Sequence, residues 1–171
     1  MIVAHALYLI APVVAAGVVH SFVIKRNAFA ALAVPLDGGR KFQGEPLFGE
    51  NKTWRGLAVM VGVSTLVAVA IGLSPALGAC LGAAYSLAEL PNSFVKRRLG
   101  IPPGGRSWRG AAVQYVADQG DSAAGCTLAL LPYAGSAALL VTVFLLGFVI
   151  HAAVDALLYV FGVKQLHEVA T

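Results

Sequence analysis

Apolar residues fall along this chain in five long blocks, with polar residues held mostly to the gaps between them. A membrane-crossing helix needs roughly 20 apolar residues. Runs at Ile2–Ile24, Arg55–Ile71, Ala76–Val95, Gly110–Leu131 and Ser136–Phe161 are close to that length. Gly72–Pro75 joins the second and third runs as a tight turn, and the fourth and fifth are joined almost as briefly. Longer polar segments, Asn27–Trp54 and Lys96–Arg109, separate the first run from the second and the third from the fourth. The pattern predicts an all-α membrane protein with five transmembrane helices and two cytoplasmic loops, folded as a single domain over residues 1–171.

Composition agrees. The chain is 58% hydrophobic and 12% charged, with a mean hydropathy of +0.80. A soluble domain is about 45–50% apolar and about 25% charged. A chain of 171 residues is too short to hide so much apolar surface in a water-soluble core. The first run has no basic residue before it and ends at Lys25-Arg26, so it reads as a retained span rather than a cleaved signal. Eleven of the twelve Lys and Arg lie in or beside the two long loops, and the twelfth is Lys164. Basic loops stay in the cytoplasm. This places both loops and the C-terminus inside and the N-terminus outside, in a multi-pass protein of the inner (plasma) membrane.

The polar residues inside the spans change the picture, because charge within a membrane is expensive and usually functional. Gln114, Asp118 and Asp121 are spaced i, i+4, i+7, which puts them on one helix face, and Gly125 continues it. Glu89 and Asn92, His151 and Asp155, and His20 all lie toward the cytoplasmic ends of their spans. The outer halves hold almost nothing ionisable. That asymmetry predicts a pocket open to the cytoplasm and argues against a path through the bilayer.

Carboxylates facing basic loops suit one kind of chemistry. Mg²⁺ is typically held by one or two carboxylates together with substrate phosphates, and Asp118 and Asp121 would serve. Lys52, Arg55, Lys96, Arg97 and Arg98 provide positive charge for a polyphosphate. Asn51-Lys52-Thr53 precedes a helix start, where free amides bind anions. Other features have simpler explanations. Lys52–Gly56 and Arg106–Gly110 are near-copies, and Trp54 and Trp108 within them fit headgroup anchors. Cys80 and Cys126 lack metal-ligand spacing and read as small apolar fillers.

Four stretches together resemble the CDP-archaeol synthase family, which is related to the CDP-diacylglycerol synthases. They are Pro35-Leu36-Asp37-Gly38-Gly39-Arg40, Phe48-Gly49-Glu50-Asn51-Lys52-Thr53-Trp54-Arg55-Gly56, Ser93-Phe94-Val95-Lys96-Arg97-Arg98-Leu99-Gly100 and Asp118-Gln119-Gly120-Asp121. The resemblance implies transfer of a cytidylyl group from CTP to a lipid phosphate, with Mg²⁺ and release of pyrophosphate, in phospholipid biosynthesis. It implies catalytic roles for Lys52, Lys96, Asp118 and Asp121, the two aspartates also holding metal, with Glu89 or Asp37 as further candidates for that metal. It assigns substrate binding to Asp37, Asn51, Thr53, Arg55, Glu89, Ser93, Arg97 and Arg98. The expected partners are CTP, a lipid phosphate and membrane lipids, with no nucleic acid; the oligomeric state is open, a homo-oligomer included.

The chain departs from the family at three places. Glu89 stands where an Asp is usual, Pro91 should kink or break the end of the third span, and Gly120 and Ser122 replace bulkier apolar residues. These changes keep the acidic and basic groups but leave the acceptor open between an archaeol-type and an ordinary diacyl phosphatidate. Two other readings stay open from the residues alone: another paired-aspartate membrane lipid transferase, or a non-enzymatic lipid or ion carrier.

Overall fold

The computed structural model describes residues 1–105 and 111–162. Trp108 with the rest of the Arg106–Gly110 block, and Lys164 in the tail, lie outside the described residues. Five α-helices account for most of the described chain: α1 (Ile2–Lys25), α2 (Trp54–Ala70), α3 (Pro75–Arg98), α4 (Ala111–Ala129) and α5 (Ala137–Val160). Their starts follow local chemistry. Thr53 caps α2 with its hydroxyl accepting from the Gly56 amide at 3.1 Å. Ser136 caps α5 in the same way, accepting from Leu139 at 3.2 Å. Pro75 opens α3, where its missing N–H removes nothing from the helix ladder.

The helices close into a ring. Each packs on its sequence neighbour, α5 returns to α1, and α1 also touches α3. The apolar core lies toward the end of the bundle that carries the two short turns. It is built from Ala6, Leu9, Ile10 and Val13 of α1, Met60, Leu77 and Leu81, Cys126 and Leu130, and Leu139 and Val143. Small residues allow the helices to approach closely, as in membrane bundles. A methyl group at Gly82 of α3 would lie 2.7 Å from Val61 Cα of α2, and one at Gly125 of α4 would lie 2.6 Å from the Ala84 carbonyl oxygen of α3. Gly125, which continues the Gln114–Asp118–Asp121 face, is thus packed against a neighbouring helix.

Outward faces carry large apolar side chains such as Leu66, Val113, Val141, Leu145 and Val149. Among the described residues, α1 and α5 are long and apolar enough to cross a membrane, and α2 is a shorter apolar helix. Together these features make the protein membrane-associated. α3 and α4 have lower hydropathy because they carry the polar residues described below.

Two sequence expectations need correction. Pro91 does not break α3, which runs on to Arg98. Lys96, Arg97 and Arg98 therefore form the last helical turn instead of opening a loop, at the end where the helix dipole favours positive charge. The first long loop is also more structured than its polarity suggested. Lys41–Phe42 (β1) and Glu45–Pro46 (β2) form an antiparallel hairpin. Its two central residues, Gln43 and Gly44, both have positive φ, as a tight hairpin turn requires. Arg98 pins this hairpin to α3. Its Nη2 lies 2.5 Å from the Pro46 carbonyl oxygen, and its guanidinium stacks over Phe94 and Phe42 at 4.7 and 5.5 Å.

Candidate active site

Tyr85, Glu89, Asn92 and Lys96 follow one another at helical spacing along one face of α3. Asp118, Asp121 and Ser122 form a facing stripe on α4. The two stripes meet at the end of the bundle that carries the long loops. Lys96 Nζ is 2.6 Å from Asp118 Oδ1. The Asn92 side-chain amide donates to Asp118 Oδ1 at 2.7 Å and to Asp121 Oδ2 at 2.9 Å. The Ser122 hydroxyl lies 3.0 Å from Glu89 Oε1 and 3.1 Å from Asp121 Oδ1. Glu89 Oε2 takes an ion pair from Lys52, which reaches in from the loop before α2. The result is one continuous network, Lys52–Glu89–Ser122–Asp121–Asn92–Asp118–Lys96, with three carboxylates facing two ammonium groups.

This donor set fits a hard divalent cation. Asp118 and Asp121 each direct one oxygen at the same Asn92 nitrogen, so two anionic oxygens converge on one point. Among the described residues no group of three or more His, Cys, Asp or Glu forms a closed metal cage. Mg²⁺ is typically held by one or two carboxylates with substrate phosphates supplying further oxygens, so a two-carboxylate set fits it.

Arg97, in the last turn of α3, is a further buried cation. It is only 3% exposed, and its Nε and Nη1 have no hydrogen-bond partner among the described residues. A buried guanidinium without acceptors is costly unless an anion joins it. Ser93, one turn earlier on α3, is buried as well.

Other residues singled out in the sequence sit apart from this network. Asp37 is 8% exposed and accepts amide hydrogen bonds from Gly39 at 2.9 Å, Phe48 at 3.0 Å and Gly49 at 3.4 Å. Burial opposes its ionisation, but those amides outweigh burial and hold the carboxyl below the usual carboxylate range. Its oxygens thus organise the loop. Arg55 donates from Nη1 to Asn27 Oδ1 at 2.8 Å and to the Ala28 carbonyl at 3.2 Å, fastening α2 to the chain leaving α1. Part of the anion site expected from free amides at Asn51–Thr53 is taken up by the fold. The Lys52 amide bonds to the Gly49 carbonyl and the Trp54 amide to Val34, while Thr53 occupies the Gly56 amide. Asn51 itself is exposed. Gln114 donates to the Gly105 carbonyl at 3.1 Å.

Asn92 and Ser122 are functional candidates to which the sequence assigns no role: Asn92 stands there as a polar residue inside a span and Ser122 as a replacement for a bulkier apolar one. The available signal was the spacing of Glu89, Asn92 and Lys96, which places Asn92 between two groups already assigned to the site.

Relatives support what this geometry suggests. A CDP-archaeol synthase of Hyperthermus butylicus is 33% identical over 147 residues, 78% of this chain and 71% of that protein. One from Methanosphaerula palustris is 36% identical over 165 residues, 82% of this chain and 95% of that protein. The chain belongs to the CDP-archaeol synthase family. A third, from Thermococcus gammatolerans, is 43% identical over 82 residues, and the match spans only 48% of its length and 41% of this chain. No family model matches the chain, and no solved structure matches it. As a member of the CDP-archaeol synthase family the protein is an enzyme, a nucleotidyltransferase of lipid biosynthesis, and its kind generally uses a divalent metal.

Proposed function

We propose that this protein crosses the plasma membrane five times, N-terminus outside and C-terminus inside, as a single domain. In this reading it transfers CMP from CTP to an archaeol-like or phosphatidate-like lipid phosphate, giving a CDP-lipid and pyrophosphate. The observation that carries the proposal is the α3–α4 network, in which two carboxylates converge beside two lysines.

Asp118 and Asp121 would hold Mg²⁺, which when bound supplies charge neutralisation on the phosphate oxygens. An oxygen of the lipid phosphate attacks the α-phosphorus of CTP. The new P–O bond forms as the bond to the β-phosphate bridging oxygen breaks, and that oxygen leaves with pyrophosphate. The attacking phosphate is already ionised, so no protein nucleophile or strong base is needed; catalysis is positioning and charge stabilisation. Lys52 and Lys96, paired with Glu89 and Asp118 at rest, would turn to phosphate oxygens, with Arg97 beside them. Asn92 keeps Asp118 and Asp121 together and Ser122 ties Asp121 to Glu89. Asp37 orders the loop before α2, Arg55 fastens α2 to the chain leaving α1 and Arg98 pins the hairpin to α3; Asn51, Thr53 and Ser93 would bind substrate.

Labelled CTP tests the reaction in purified protein with Mg²⁺ and diether or diacyl lipid phosphates. Label from the α-phosphate is expected in the lipid phase, and label from the γ-phosphate in the aqueous phase. If no lipid phosphate acquires the α-label, the proposal is wrong.

A further inference from the structure

A cleft opens between α1, α3, α4 and α5, immediately beside the network. Most of its wall is hydrocarbon: Ile10, Val13 and Gly17 of α1, Cys126 of α4, and Val143 and Gly147 of α5. Its polar members are Tyr85, Ser122 and His151. Ser122 belongs to both places, lining the cleft and bonding Glu89 and Asp121. The Tyr85 hydroxyl and His151 Nε2 are 3.0 Å apart and link α3 to α5 across the cleft.

From Val143 to His151, where the polar groups stand, the lining covers eight residue steps of α5, about 12 Å at the helical rise of 1.5 Å per residue. That is most of the depth of one leaflet of a hydrocarbon core about 30 Å thick. The α1 wall has room to spare, since a methyl group at Gly17 would meet no heavy atom within 4 Å.

We propose that this cleft seats one hydrocarbon chain of the lipid phosphate acceptor, with the Tyr85–His151 pair and Ser122 marking where the chain gives way to the headgroup. The inference rests on the cytidylyl-transfer reading and adds where the acceptor lies. The occupant follows from continuity. An apolar slot of most of a leaflet's depth that ends on a hydroxyl shared with Asp121 matches a molecule with a long apolar tail and an anionic head. A nucleotide has no such tail, and a bulk lipid would have no reason to end at the carboxylates.

Gly17→Leu would project a side chain into the slot from a Cβ that meets no heavy atom within 4 Å. Expected is a fall of about tenfold in turnover of a long-chain lipid phosphate relative to a short-chain, water-dispersible one, the loss of roughly two buried methylenes, with KM for CTP unmoved. An unchanged ratio overturns the inference. Photolabelling of the wild-type protein in nanodiscs covers the case of a variant that does not fold. A lipid phosphate with a diazirine on one chain should label the segments around Val13–Gly17 and Val143–Gly147. Excess unlabelled lipid phosphate should suppress that labelling, and phosphatidylcholine should not. Labelling confined to outward positions such as Leu145 and Val149, or equally suppressed by phosphatidylcholine, overturns the inference and marks ordinary bilayer contact. A wild-type enzyme that turns over no lipid phosphate refutes the transfer reading itself, which is a different result from an active enzyme with an unaffected chain-length ratio.

Discussion

Lys96 and Asp118 meet at 2.6 Å, joining the last turn of α3 to the first half of α4. The pair is only partly exposed, so its loss matters both to how the helices hold together and to the charge available at the site. Truncating one partner leaves the other unpaired in a poorly hydrated place, which is the costly way to break such a bridge. Lys96→Ala and Asp118→Asn should each reduce CDP-lipid formation by about 10²-fold or more, the scale seen when one charge-stabilising group is removed. The double variant should be no slower than the worse single one, because the two residues act as a unit. Steady-state rates for the four proteins check this; fully multiplicative losses would mean independent roles.

Asn92 holds two carboxylates toward one point. In Asn92→Ala those carboxylates lose their shared donor and repel each other until a cation arrives. The variant should have a lower melting midpoint without metal and a larger upward shift on adding Mg²⁺ than the wild type. Thermal scans with and without Mg²⁺ provide the comparison, and equal shifts would remove Asn92 from the site.

The Asp37 carboxyl titrates below its ordinary range because three amides hold its charged form. A depressed folded-state pKa contributes stability that is present above the unfolded-state value and is lost as pH falls through the folded-state value. Protection of the Phe48 and Gly49 amides against hydrogen exchange, corrected for intrinsic rates, should be steady near neutrality. It should decline only in strong acid, below the range where ordinary carboxylates titrate. Asp37→Asn should lower that protection at neutral pH and leave little difference from wild type at the acid end.

Gly82 lies against α2 so closely that a methyl group there would sit 2.7 Å from Val61 Cα. Gly82→Ala must push α2 and α3 apart, at a cost of about 1–3 kcal/mol by the usual scale for overpacking. Gly17→Ala faces open space and should leave the melting midpoint near the wild-type value. Paired melts in the same detergent decide between the two positions.

The proposed topology is open to cysteine labelling. Reagents that cannot cross the membrane should reach a cysteine at Ser74 from outside, and cysteines at Gln43 and Gly104 only after the cells are opened. A cytoplasmic Ser74 would put the α3–α4 network on the wrong side for CTP.

Much of this architecture follows from the chain alone. Five apolar runs separated alternately by long polar segments and brief turns can bury their hydrocarbon only as helices, so helix number, approximate ends and the polar end of the bundle were all legible. Asp118 and Asp121 were legible too, because i, i+3 spacing on a helix admits only one face. Identity between residues far apart in sequence was not. Helical period says that Glu89, Asn92 and Lys96 share a stripe, but not that the stripe faces Asp118; that depends on how α3 and α4 rotate when Gly125 packs against Ala84. The fate of each charge was likewise a tertiary matter. Asp37, Arg55 and Arg98 read in sequence as substrate-binding groups, yet folding turns Asp37 to loop amides, Arg55 to the end of α1 and Arg98 to the hairpin. A side chain's chemistry is written in its type, but its partner is whichever group the packing brings within about 3 Å.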